Sequence, residues 1–176
     1  QMGIIEEIFK EKDFKEGEHW LLYCQDNDHV TFAREQLKES GIQSLEYMSA
    51  MRGDRKSTLD YFEENGGILV AIKCLDEGVD LPFLKNAIIL SSSQNPREHI
   101  QRRGRVLRKS SGKSLATIYD ALVVTSSDMN DQHEQIMSTE LRRAYNFSKD
   151  AYNPEATIEM KNIAKKRVTK LRLIYL

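Results

Sequence analysis

Five consecutive apolar residues, Ile68-Leu69-Val70-Ala71-Ile72, follow directly on the helix-stopping pair Gly66-Gly67. A strand that is apolar on both faces must be covered on both, which a short run achieves in a parallel sheet with helices packed above and below. The same signal recurs at Trp20-Leu21-Leu22-Tyr23-Cys24 and Ala87-Ile88-Ile89-Leu90, with further strands expected at Leu45–Met48 and Leu115-Ala116-Thr117-Ile118-Tyr119. Amphipathic stretches alternate with them. Ile4, Ile5, Ile8 and Phe9 mark a helix over 4–15, and Val30, Ala33 and Leu37 a second that stops at Gly41. Leu59 and Phe62 carry a third from Asp54 to Asn65, and Pro96 opens a fourth reaching about Leu107. This alternation predicts an α/β domain with a doubly wound parallel sheet of five strands, flanked by helices, over residues 17–124. Residues 1–16 form a helix leading into or packing on that core. After Thr125-Ser126-Ser127-Asp128 the pattern turns helical over 129–151 and 155–168, broken at Asn153-Pro154. Residues 125–176 are therefore expected to be an appended helical hairpin.

At 176 residues the chain can bury a full core without a metal or disulfide. Its two cysteines, Cys24 and Cys74, sit in apolar runs as small buried hydrophobes, and no CxxC pair exists, which excludes a disulfide scaffold and a zinc ribbon. His19, His29, His99 and His133 have no metal-ligand spacing, so no metal is expected. No apolar run approaches the roughly 18 residues of a membrane span, and no secretory signal opens the chain. The expected location is the cytoplasm, or the nucleoid or nucleus. The first residue is Gln1 rather than Met, as expected of a piece of a longer chain.

The net charge of −1 conceals a division. Residues 1–90 hold 10 basic and 18 acidic side chains, residues 91–176 hold 16 and 9. One cationic cluster comprises Arg102, Arg103, Arg105, Arg108, Lys109 and Lys113; a second runs from Lys161 to Arg172. Such asymmetry fits a surface that meets an anion, although a solvated helix face accounts for the second cluster equally well.

In open parallel sheets, ligands sit at the carboxyl ends of the strands. The Ile68–Ile72 strand is followed by Lys73-Cys74-Leu75-Asp76-Glu77-Gly78-Val79-Asp80-Leu81-Pro82. After the Ala87–Leu90 strand come a Ser-rich turn and a helix reading Gln101-Arg102-Arg103-Gly104-Arg105-Val106-Leu107-Arg108. Arg105 and Arg108 share one helix face and Gln101 lies one turn before Arg105. Two planar, permanently charged guanidiniums and an amide at a sheet's ligand edge suit a polyphosphate.

These two segments resemble motifs V and VI of superfamily 2 helicases and translocases, and their spacing is similar to that of the family's second RecA-like domain. Leu21–Cys24 resembles the motif IV strand, and Arg55 with Phe62 the helix before motif V. The resemblance covers about residues 17–124, and its wording is most similar to DNA repair helicases and restriction-type translocases; RNA-directed DEAD-box members usually open motif VI with His. It implies a RecA-like fold and places Arg105 and Arg108 as arginine fingers reaching the γ-phosphate of ATP, with Gln101 sensing or orienting that phosphate. Gly78, Asp80, Gly104 and Arg102 would line the nucleotide cleft, the Asp80 carboxylate near the ribose. Lys73, Asn27 and Ser49 would touch the nucleic-acid backbone. The implied cofactor, ATP with Mg²⁺, would be bound mainly by an N-terminal RecA-like domain of the same parent chain, and the implied partner is nucleic acid, DNA rather than RNA, with no membrane.

The chain departs from the family's full set. It has no DExH box, and Ser111-Gly112-Lys113-Ser114 lacks the P-loop's earlier glycine, that position being Leu107. The segment also precedes a strand rather than opening a helix. The isolated chain is thus expected to be half an ATPase, inactive alone. Two other readings stay open: a RecA-like module that only binds DNA or protein, and a nuclease using Asp76, Glu77 and Asp80 on a divalent metal.

Overall fold

The computed structural model describes residues 5, 7–9, 15, 17–49, 51, 53–72, 79–90, 104, 106, 108, 113–121, 131–153, 155, 157–158 and 170–175, with backbone only at 131–136 and 170–175. In chain order the elements are β1 (His19–Tyr23), α1 (Asn27–Glu39), β2 (Ser44–Tyr47), α2 (Arg55–Asn65), β3 (Gly67–Ala71), β4 (Asn86–Ile89), β5 (Ala116–Ala121), α3 (Asp131–Ser148) and β6 (Lys170–Tyr175). Ile5, Glu7–Phe9, Gly104 and Val106 are also helical.

The strands form one sheet in the order β2-β3-β1-β4-β5-β6. The first five are parallel, as the unbroken apolar runs predict. The sixth is antiparallel to β5, with Lys170 opposite Ala121 and Tyr175 opposite Ala116. This corrects the expectation of an entirely helical tail: α3 is a helix, but Lys170 and Arg172 lie on a strand. An edge strand needs one partner and one covered face, so it carries no continuous apolar run, and its pairing with β5 is invisible locally.

The side-chain alternation of a strand divides the core into two layers. Trp20 and Leu22 of β1, Ile68 and Val70 of β3 and Ile88 of β4 pack with Val30, Ala33 and Leu37 of α1 and with Ile5, Ile8 and Phe9. Leu21 and Tyr23, Leu69 and Ala71, and Ala87 and Ile89 point to the other side, in one cluster with Phe62 of α2, Val106 and Ala144 of α3. Each large side chain withdrawn from water contributes about 1.5–3 kcal/mol. Trp20, which is fully buried, keeps its indole N–H satisfied by donating to Glu18 Oε2 at 2.9 Å.

Local chemistry sets the helix ends. Asp26 caps α1 by accepting from the His29 N–H at 2.9 Å, and Asp54 caps α2 by accepting from the Ser57 N–H at 2.8 Å. The Ser57 hydroxyl, and then the Ser57 and Lys56 N–H groups, hold the Asp54 carboxyl below its usual pKa. Helix α1 stops in a Schellman arrangement, Ile42 N–H donating to Leu37 C=O and Gly41 N–H to Lys38 C=O, with Gly41 at φ 75°. Gly66 ends α2 at φ 72°, where a Cβ would lie 2.7 Å from the Gly17 carbonyl carbon and 2.9 Å from the Glu18 oxygen.

Among the described buried residues of the sheet, one is charged. Asp120 of β5 is 2% exposed and accepts two bonds from Arg143 of α3, at 2.5 and 3.2 Å. Arg143 also donates to Glu140 at 3.0 Å and lies 5.7 Å from the Phe147 ring. Burial alone would lower the Arg143 pKa, but Asp120 and Glu140 outweigh it and raise the pKa above its usual value. This bidentate pair ties α3 to the sheet.

Two outcomes are expected on unfolding in urea. Gly66→Ala combines a left-handed backbone with an immovable backbone collision and lowers stability by more than about 2 kcal/mol. Arg143→Met strands the buried Asp120 carboxylate and costs about 3–5 kcal/mol, much of which returns in the double variant Asp120→Leu, Arg143→Met.

Candidate nucleotide and nucleic-acid site

The parallel register brings four strand exits to one edge. Tyr23 of β1 is level with Ala71 of β3 and Ile89 of β4, and Tyr47 of β2 is level with Ala71. Beyond this line the ladder continues one step, Cys24 N–H donating to Ala71 C=O at 2.8 Å and Leu90 N–H to Tyr23 C=O at 3.1 Å. Two of the expected backbone contacts stand along this edge. Asn27 begins α1 three residues past Cys24, and Ser49 follows β2; both are exposed. Lys73 lies outside the described residues, as do Gly78, Gln101, Arg102 and Arg105.

Asp80 and Arg108, from the two segments singled out in the sequence, meet. Arg108 Nη1 lies 2.6 Å from Asp80 Oδ2, with the two side chains 54% and 57% exposed. Each is the exposed near neighbour of a buried anchor in the same core layer, Leu81 for Asp80 and Val106 for Arg108. Leu84 N–H donates to Leu81 C=O, closing the turn that carries Asp80. On the other segment, the Lys113 ammonium donates to Val106 C=O. Burial, and then the charge of Lys85, lowers the Lys113 pKa. The lysine of the P-loop-like Ser111–Ser114 segment thus serves as a backbone tether before β5.

A solvent-exposed pair such as Asp80–Arg108 adds at most about 1 kcal/mol to stability, so both groups can exchange partners cheaply. A carboxylate and a guanidinium held beside each other offer an acceptor for the hydroxyls of a sugar and donors for phosphate oxygens. Gly104 is helical and exposed, and a Cβ there would meet no atom within 4 Å. No contact within the described domain calls for glycine at that position.

Cys24, fully buried at this edge, has its thiol pKa pushed up to about 12 by burial and by Asp26, so it is a packing residue. His29 accepts from the Gln25 N–H through Nδ1 at 3.4 Å, and burial lowers its pKa, leaving a neutral ring at the start of α1. The sequence reading missed the Asp120–Arg143–Glu140 group; the available signal was a lone carboxylate inside the apolar run Ala116–Val124. It also missed that Asp80 and Arg108 would pair, since 28 positions separate them and only the fold adjoins their segments.

The family model described as "Helicase conserved C-terminal domain" matches residues 2–110, well over half of the chain, and the chain belongs to that family. Its fold is the RecA-like α/β sheet of that domain, here extended by β6. A Methanocaldococcus jannaschii protein named as a candidate ATP-dependent RNA helicase is 26% identical over 109 residues, which are 57% of this chain and 14% of the relative. Among solved structures, the C-terminal part of the Fun30 ATPase domain superposes with TM-score 0.61 at 18% identity, covering 93% of this chain and 53% of that one. The Pyrococcus furiosus Hef helicase domain gives TM-score 0.49 at 20% identity, covering 76% of this chain and 26% of that chain. The chain thus spans a small part of its curated relative and about half or less of these structures.

Gly104→Ala separates a structural from a ligand-facing role. An exposed helical glycine costs about 0.5–1 kcal/mol against alanine, so thermal melting of the variant should move upward by that equivalent. A simultaneous fall in nucleotide-dependent activity of the protein carrying this domain would assign the missing Cβ to ligand approach.

Proposed function

We propose that this chain is the C-terminal motor domain of an ATP-dependent superfamily 2 helicase or translocase. The Asp80–Arg108 contact supports this reading most directly, because it pairs the carboxylate of the motif V-like segment with an arginine of the motif VI-like segment. ATP with Mg²⁺ would be held mainly by an N-terminal RecA-like domain of the same parent chain, which carries the P-loop and acidic box that this sequence lacks. Closure of the two domains would bring Arg105 and Arg108 to the γ-phosphate, where guanidinium charge stabilises the transferring phosphoryl group. Gln101 would orient the same phosphate, and Gly78, Arg102 and Gly104 would leave or line the space around it. Arg108 would leave Asp80 for the phosphate, freeing the carboxylate for the ribose.

Asn27, Ser49 and Lys73 would form this domain's part of the strand track, all following strands at the carboxyl edge. Opening and closing of the cleft would then shift the grip on the backbone once per ATP. The motif VI opening Gln101-Arg102-Arg103 supports DNA as the strand, whereas the M. jannaschii relative is named for RNA. No described helix is long and apolar enough to cross a membrane, and we place the protein's work in the cytoplasm, nucleoid or nucleus.

The test is strand-stimulated ATP hydrolysis by the full-length protein, wild type against Arg105→Ala and Arg108→Ala, with DNA and RNA in parallel. Loss of about 10³–10⁵ in turnover with ATP binding retained is the expected result. The isolated chain should turn over no ATP. Unchanged turnover in both variants would refute the finger assignment and favour a domain that binds without catalysing.

A further inference from the structure

The family match ends at residue 110, and α3 lies beyond it. Arg142 and Arg143 are consecutive, yet their environments are opposite. Arg143 turns inward to Asp120 and Glu140, with its side chain 11% exposed, while Arg142 is exposed. The buried pair fixes the rotation of the helix about its axis. Ala144 is fully buried, and Leu141 and Phe147 pack on the same core layer. What remains outside is one continuous stripe: Ser138, Thr139, Arg142, Tyr145 and Asn146, at the three- and four-residue spacing of a single helix face, continued by Lys149.

The chemistry of this stripe is uniform. Tyr145 is 37% exposed, unusual for a helix otherwise well packed, and the Lys149 ammonium sits 4.8 Å from its ring centroid. Lys149 also donates to Asn146 Oδ1 at 3.4 Å, so ring, cation and amide are held as a unit. Tyr152, 62% exposed, follows within one turn's length. Among the described side chains of α3, Glu140 is the one carboxylate, and it is committed to Arg143. Asp150 and Glu155 are exposed beyond the helix end and mark that boundary. Cations interleaved with exposed aromatic rings and amide or hydroxyl donors are the surface that a flexible polyanion with stacking bases recognises.

We propose that the outer face of α3, through Arg142, Tyr145 and Lys149, binds single-stranded nucleic acid outside the motor's own track. The ligand class rests on the motor reading above; the face and its residues rest on the geometry of α3. Arg142 and Lys149 contact backbone phosphates, about 10 Å apart along the helix axis, and Tyr145 offers a ring to a base. Because α3 is tied to β5 through Arg143, a strand held here would be carried with this domain as the cleft opens and closes.

The experiment is fluorescence anisotropy of a labelled oligothymidylate with this chain, at salt rising from about 50 mM, comparing wild type, Tyr145→Ala, the double variant Arg142→Ala, Lys149→Ala, and Lys73→Ala. Tyr145→Ala should weaken binding about tenfold, with Tyr145→Phe restoring it. The double variant should lower the slope of log K against log salt by about 1.4. All three side chains are solvent-facing, so the variants should melt with the wild type. If Lys73→Ala weakens binding but the α3 variants do not, the face is not a strand site while the motor reading stands. Duplex bound as tightly as the single strand, without dependence on Tyr145, would also overturn the proposal. So would absence of binding at the lowest salt, in which case the ATPase comparison judges the motor reading separately. Intact strand binding in α3 variants whose full-length form loses assembly would assign the face to a protein contact instead.

Discussion

The burial of both faces of β1 is the constraint on which the remaining structure depends. With Leu21 and Tyr23 on one side and Trp20, Leu22 and Cys24 on the other, all nearly or fully inaccessible, β1 can only lie mid-sheet under helices on both sides. Its two neighbours, β3 and β4, are then aligned to the residue, Tyr23 level with Ala71 and Ile89. That register sets where β1, β3 and β4 end relative to one another. A shift of one residue would turn every side chain to the wrong layer, so the position of the carboxyl edge follows from core packing.

The proposed nucleotide-facing pair consists of exposed residues next to buried ones. Leu81 and Val106 belong to the core, and Asp80 and Arg108 stand at 57% and 54% exposure close by in the chain. The anchors confer rigidity, and the exposed pair keeps its freedom to change partners, because an ion pair in solvent is held by little more than thermal energy. The contrast with Asp120 and Arg143 is instructive. Those groups have the same chemistry, but side-chain exposures of only 1% and 11% make their pairing structural, since neither can be left alone in a low-dielectric interior. The same two residue types thus make a movable contact at the surface and a fixed rivet beneath α3.

Legibility in the sequence followed the locality of the physical cause. The strands β1, β3, β4 and β5 were readable because two-sided burial forces an apolar run, and α1 and α2 because Asp26, Asp54, Gly41 and Gly66 announce their ends. Strand β6 was not, because Lys-Leu-Arg-Leu-Ile-Tyr becomes a strand only when β5 supplies the partner. The bond from Lys113 to Val106 C=O spans seven positions and has no signal in the local sequence. Arg108 and Asp80 were each recognisable within their own motifs; their contact was not, as it spans two loops and an intervening strand.

By itself the sequence determined the class of fold, the order of the described helices and strands through residue 121, and a resemblance that agrees with the family match over residues 2–110. Those features arise from periodicity, capping and short-range spacing, which are properties of neighbouring residues. Tertiary structure alone decided that Asp80 meets Arg108, that Asp120 captures Arg143 rather than Arg142, and that the tail returns to the sheet as β6. Each of these depends on which distant surfaces are brought together and how much water is excluded between them. Charge pairing over such separations has no local signature, because its energy is set by burial that only the folded chain provides.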